Sequence, residues 1–104
     1  MKLCRLDELA PNSARRIERD GQAPIAVVRI GDDIYAIGDT CSHANISLSQ
    51  GWIDEADCTI ECIQHGATFD LRSGEPRTLP ATQPVPTYEV AVVDGWVVLV
   101  DPDI

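Results

Sequence analysis

The sequence predicts an all-β protein, an antiparallel strand scaffold with a small loop-rich subdomain inserted in it. Three observations carry this. β-branched runs recur, bounded by turn residues; no segment holds a helical period long enough for a long helix; and the chemistry-bearing Cys and His residues crowd into one central stretch. The 104 residues correspond to a single domain spanning 1–104, with the inserted subdomain at about 39–79.

Taken in order, Leu3 to Leu6 and Arg15 to Arg19 fit short strands. Pro24 to Ile30 (Pro-Ile-Ala-Val-Val-Arg-Ile) is a β-branched run, followed by Gly31-Asp32-Asp33 and then Ile34-Tyr35-Ala36-Ile37. That order reads as a hairpin with a short Gly-containing turn. Asn45 to Ser49 could make one helical turn. Thr59 to Cys62 and Ala67 to Asp70 fit two further short strands. Pro80, Pro84 and Pro86 cannot donate to a ladder, so they mark an ordered, extended loop. Thr87 to Val93, the turn Asp94-Gly95 and Trp96 to Val100 make a second hairpin, since Asp-Gly is among the strongest short hairpin signals. Trp52 and Trp96 are expected as core or half-buried anchors, with Trp52, near the Cys/His motifs, also a candidate for a docking surface. Gly51 and Gly74 read as ordinary turn residues.

The formal charge of −9 argues against nucleic acid and anionic membrane surfaces as partners. It suits docking on basic patches of other proteins, at rates that fall as salt rises. The acidic run Asp54, Glu55 and Asp57 is a solvated turn that could meet such a patch. No apolar run is long enough for a membrane span, and Met1 to Asp7 lacks the apolar core of a signal peptide. The expectation is a soluble, cytoplasmic protein in which Cys4 and Cys58 stay as inert thiols.

Two motifs point to chemistry. Cys41-Ser42-His43 is followed, after 18 intervening residues, by Cys62-Ile63-Gln64-His65, and the two motifs contain both histidines of the chain. Each supplies one thiolate and one imidazole, the mixed set of a Rieske [2Fe–2S] centre, in which two His replace two Cys on one iron. A cluster of two irons and two sulfides needs two terminal ligands on each iron. Two loops can therefore grip it from opposite sides, with Cys41 and Cys62 on one iron and His43 and His65 on the other. Gly66, directly after His65, would allow a positive φ or a close backbone approach. No nucleophile triad, P-loop or dinucleotide fingerprint is present.

The stretch from Cys41 to Gly74 resembles the cluster-binding region of bacterial Rieske ferredoxins. More narrowly, it resembles the ferredoxin components of multicomponent aromatic-ring dioxygenases. Cys41-Ser42-His43, Leu48, Gly51, Cys62-Ile63-Gln64-His65-Gly66, Phe69 to Gly74 and Leu79 to Pro86 carry the likeness. Gln64 stands where members of that family often have Pro. The resemblance implies stacked antiparallel sheets with one [2Fe–2S] cluster at a tip, and a Pro84-Val85-Pro86 loop that helps to cover it. It implies a monomeric shuttle between a flavin-containing ferredoxin reductase, fed by NAD(P)H, and a terminal non-haem iron oxygenase.

In quinol-oxidising Rieske proteins a Ser and a Tyr hydroxyl after the second His donate to cluster sulfurs, and a disulfide staples the loops. The matching positions here are Ala67 and Phe69 for the donors, and Ile46 and Gln64 for the staple. Fewer donors leave an added electron less stabilised. The potential should lie near the bottom of the Rieske range of about −150 to +300 mV. Two alternatives stay open at this level: a Rieske ferredoxin of another metabolic or regulatory pathway, and a structural zinc module, since two Cys and two His also suit tetrahedral zinc.

Overall fold

In the computed structural model, which describes residues 2–41, 46–63, 66–78 and 83–100, one strand explains how the layers stack. This is β3, Gln22–Ile30, the β-branched run of the sequence. Its residues Ile25, Ala26, Val27 and Val28 are all fully buried. Because side chains alternate across a strand, they serve two cores. Ala26 and Val28 join one apolar cluster, and Ile25 and Val27 join another.

Around β3 lies a four-stranded sheet formed with β2 (Ser13–Arg19), β4 (Asp33–Gly38) and β8 (Thr87–Tyr88), in the order β2-β3-β4-β8. On one face packs a three-stranded sheet of β1 (Lys2–Arg5), β10 (Trp96–Leu99) and β9 (Val90–Val93), in the order β1-β10-β9. Leu3, Cys4 and Val97 from that sheet meet Ile25, Val27 and Ala36. On the other face lies the sheet of β5 (Trp52–Asp54), β6 (Thr59–Glu61) and β7 (Thr68–Asp70). Ile60, Phe69 and Leu71 from that side meet Ala26, Val28 and Ile37. All pairings are antiparallel. The all-β expectation is met, as three stacked layers.

Several local details have plain causes. Pro24 lacks an N–H, and the β2–β3 register shifts opposite it, between Ile17 and Arg19. The Arg19 guanidinium closes that gap by donating to the Ala23 carbonyl at 2.9 and 2.8 Å. The predicted Pro24–Ile37 hairpin forms as β3 and β4, turning at Gly31-Asp32. The Asp94-Gly95 turn also forms, joining β9 to β10.

The Thr87 to Val93 run, expected as one strand, is two. The chain leaves the middle sheet at Glu89, so that β8 pairs with β4 while β9 pairs with β10. Strand β5 was not expected. The helical turn expected at Asn45 to Ser49 lies instead at Leu48–Gln50 and is 3-10 in character, while Asn45 falls outside the described residues. Cys4 and Cys58 are both buried, on opposite sides of the middle sheet. Burial pushes the Cys4 thiol pKa up, which suits an inert group. Among the described residues, no helix is long and apolar enough to cross a membrane.

Candidate metal centre

The first motif begins where β4 runs out, and the second where β6 does. Beyond β4, Leu48 N–H donates to the Asp39 carbonyl (2.6 Å), Thr40 bridges Ser47, and Cys41 N–H donates to the Ile46 carbonyl at 2.9 Å. Beyond β6, Glu61 pairs with Thr68, and Cys62 N–H donates to the Ala67 carbonyl at 2.7 Å. Both cysteines thus close the neck of a loop by donating to the carbonyl five residues on. The second neck carries one bond more, from Gly66 N–H to the Cys62 carbonyl (3.1 Å).

Only 3% of Cys41 and 1% of Cys62 is exposed, and both belong to one apolar cluster with Leu48, Ala67, Phe69 and Val85. Bare thiolates in such surroundings would be costly, whereas thiolates bound to a cation are not. Two buried sulfurs from matched loops therefore fit a thiolate-bound metal group. Ala67 and Phe69 are fully buried beside them, and neither side chain can donate a hydrogen bond. His43, His65 and Gln64 lie outside the described residues, as do Pro80 and the rest of Leu79 to Thr82. Gly66 has φ +74°, with open space where a Cβ would stand, so its need is backbone conformation and not close approach.

Different devices hold the two loops. Beside the first, Asp39 is fully buried. Its carboxylate accepts bonds from Arg16 (3.1 Å), from the Ser49 N–H (2.9 Å) and from the Ser47 hydroxyl. Beside the second, residues 76–78 lie against β7: Pro76 bridges Phe69 and Arg77 N–H donates to the Thr68 carbonyl at 2.7 Å. There the Thr78 hydroxyl accepts from the Thr68 N–H (2.9 Å) and donates to the Gly66 carbonyl (3.3 Å). Neither Asp39 nor Thr78 stood out in the sequence.

A third segment closes over this cluster. Val85 N–H donates to the Gly74 carbonyl (2.9 Å), Gly38 N–H donates to the Pro86 carbonyl (2.8 Å), and the Val85 side chain is buried among the loop-side apolar residues. Gly74 is no ordinary turn residue. Its φ is +77°, and a Cβ would stand 2.1 Å from the Val85 carbonyl oxygen. At Gly51 the same test places a Cβ 1.9 Å from the Glu61 carbonyl oxygen, so close approach explains this glycine too.

The profile of the Rieske [2Fe–2S] domain family matches residues 1–89. The chain belongs to that family.

As a Rieske protein it carries one [2Fe–2S] cluster, which sets the zinc reading aside. Ferredoxin CarAc of Metapseudomonas resinovorans is 42% identical over 97 residues, covering 93% of this chain and 89% of the relative. The anthranilate 1,2-dioxygenase ferredoxin subunit of Burkholderia cepacia is 46% identical over 77 residues, or 74% of this chain and 69% of that one. Among solved structures, a chain from the complex of reduced oxygenase and oxidized ferredoxin in carbazole 1,9a-dioxygenase matches with a TM-score of 0.88. Identity to it is 42%, over 95% of this chain and 90% of that chain.

One expectation about the surface needs correction. Trp96 is half-buried, with Lys2 and Arg5 stacked on its ring at 4.7 and 5.4 Å. Trp52, however, is 64% exposed and anchors no core. The reason is alternation along β5: Ile53 packs against the loop-side core, so Trp52 points to the opposite face. Trp52 lines an open groove of about 630 Å³ with Asp54, Glu55, Asp57 and Glu61.

Proposed function

We propose that this Rieske protein is a low-potential one-electron carrier. It takes electrons from an NAD(P)H-dependent flavin reductase and delivers them to a terminal non-haem iron oxygenase. The observation that carries this is the pair of matched loops, each presenting a buried cysteine from the same kind of neck to one apolar cluster. Bound there, the [2Fe–2S] cluster accepts and releases one electron at a time.

In this reading Cys41 and Cys62 hold one iron and His43 and His65 the other. Residues 39–79 act as a cluster-binding subdomain of a single domain spanning 1–104. The chain's own residues set the environment. Ala67 and Phe69 offer no side-chain donor to the site, which keeps an added electron weakly stabilised. Leu48, Val85 and Leu71 keep water from the two thiolates.

The oxygenase partner is supported by dioxygenase-linked relatives and by the ferredoxin-oxygenase complex that this chain matches at 42% identity. Docking uses acidic surface on this chain against basic patches on its partners. The groove bearing Trp52 and four carboxylates is a suitable face, because Thr68 and Thr78 in its wall also brace the second loop. Such a carrier works as a monomer in the cytoplasm.

A spectroelectrochemical titration at neutral pH tests this. A reversible one-electron step near about −150 mV is the expected result. A step well above 0 mV would overturn the low-potential reading, and a colourless, redox-silent protein would overturn the ligand assignment.

A further inference from the structure

Most charged side chains of the chain are exposed, yet Asp39 is completely buried, two residues before Cys41. All of its polar atoms are engaged. Its N–H donates to the Pro24 carbonyl (3.1 Å), and its carbonyl accepts the Leu48 N–H (2.6 Å). One carboxylate oxygen takes the Ser49 N–H, and the other takes Arg16 and Ser47. Ser49 donates in turn to the Ser47 oxygen (2.8 Å), whose own hydrogen is committed to Asp39.

The counter-charge is placed unevenly. The Arg16 side chain is 45% exposed, against 0% for Asp39, and Arg16 also pairs with the exposed Glu18 at 2.6 Å. Water screens the cation more than the anion, so the pair leaves a net negative field in the protein interior. A bonded network of neutral groups could brace the loop equally well. Placing a charge there, at the cost of burying it, has an electrostatic consequence.

We propose that Asp39 is a positioning residue that also sets the potential of the centre. Its carboxylate braces the first loop and holds a fixed negative charge beside Cys41 that disfavours the added electron, and Arg16 moderates that charge. This inference rests on Cys41 being an iron ligand, and it adds a source of low potential separate from the missing donors at Ala67 and Phe69.

The test compares reduction potentials of the cluster-loaded chain and three variants. Asp39→Asn keeps the shape of the side chain, removes the charge and should shift the potential upward. Arg16→Gln leaves the buried carboxylate without its cation and should shift it downward, while Arg16→Lys should return it towards the wild-type value. Glu18→Gln, which touches only the exposed half of the network, serves as control and should leave it in place. A role in loop bracing alone predicts shifts of the same sign in Asp39→Asn and Arg16→Gln. That result, or an unmoved potential in Arg16→Gln, overturns the proposal. If Asp39→Asn fails to retain the cluster, the Arg16 pair decides, since the carboxylate stays in both variants. A wild-type protein without the visible spectrum of a cluster would sink the ligand reading itself, which separates the two failures.

Discussion

The two cysteine loops share a neck and differ in what stands behind it. Cys41 and Cys62 each donate to the carbonyl five residues on, at 2.9 and 2.7 Å. Behind the first stands a buried carboxylate, bonded to Arg16, Ser47 and Ser49. Behind the second stand continuous backbone pairing from β6 through β7 to residues 76–78, and a threonine hydroxyl. The lesson is that one neck geometry can rest on charge or on sheet. A loop held by one buried carboxylate should fail sharply when that side chain is cut away, because the bonds from Arg16, Ser47 and Ser49 are lost together. A loop held by several backbone bonds should weaken by degrees.

The strongest test of the pairing is at the sulfurs themselves. Cys62→Ala and Cys41→Ala should each abolish the cluster, read as loss of visible absorption and of the two-iron resonance signal in the reduced protein. Retention of the full signal by either variant would break the equivalence of the loops. Next comes the segment that covers both. Gly74→Ala places a Cβ against the Val85 carbonyl at a positive φ, and should cost about 1–3 kcal/mol. Thermal unfolding of the loaded protein measures that loss.

Thr78→Val sharpens the contrast further. It removes the hydroxyl that joins Gly66 to Thr68 while keeping shape, and should cost about 1 kcal/mol. At that size cluster release speeds up roughly five-fold, and Thr78→Ser should restore the rate. An unchanged release rate in Thr78→Val would mean that the backbone pairing alone carries the second loop.

The smallest expected effect concerns pH. Burial works against the Asp70 carboxylate, but the Arg72 and Ser73 N–H groups, together with the Arg72 and Arg77 guanidinium groups, outweigh it and hold its pKa below the ordinary value. A carboxyl depressed in the folded state adds stability above its unfolded pKa, and that stability fades as pH falls through the folded one. Asp70→Asn should therefore lower stability at pH 7 and narrow its difference from wild type below about pH 4. Denaturant titrations at the two pH values check the sign.

How much of this was legible in the sequence depended on the range of the interaction involved. The hairpin of β3 and β4 could be read because its cause is local, a β-branched run and a turn at Gly31-Asp32. The two Cys/His motifs stood out because four chemically distinctive residues stand at short spacing. The break at Glu89 was hidden, since alternation continues from β8 into β9 while the pairing partner changes. Asp39 was hidden because its burial depends on Arg16, which reaches it from 23 positions away along the chain. Gly51 and Gly74 looked like turn formers, because the carbonyls that crowd them belong to Glu61 and Val85, both distant in sequence. Trp52 looked like core by residue type, and its face of β5, opposite that of Ile53, decided otherwise.

The pairing of β1 with β10 sets an order of events during synthesis. Lys2 finds its partner at Val98 and Arg5 finds its partner at Trp96, so the outer sheet must wait until Trp96 to Val98 have left the ribosome. Every residue of the two loops and of the strands that brace them, up to Thr78, is made before that. The nascent chain thus holds both cysteine loops while the sheet of β1, β9 and β10 is still open. Long-range closures of this kind are slow steps in folding. Strand β10 then seals a molecule whose two cysteine loops were complete in sequence well before β1 had a partner.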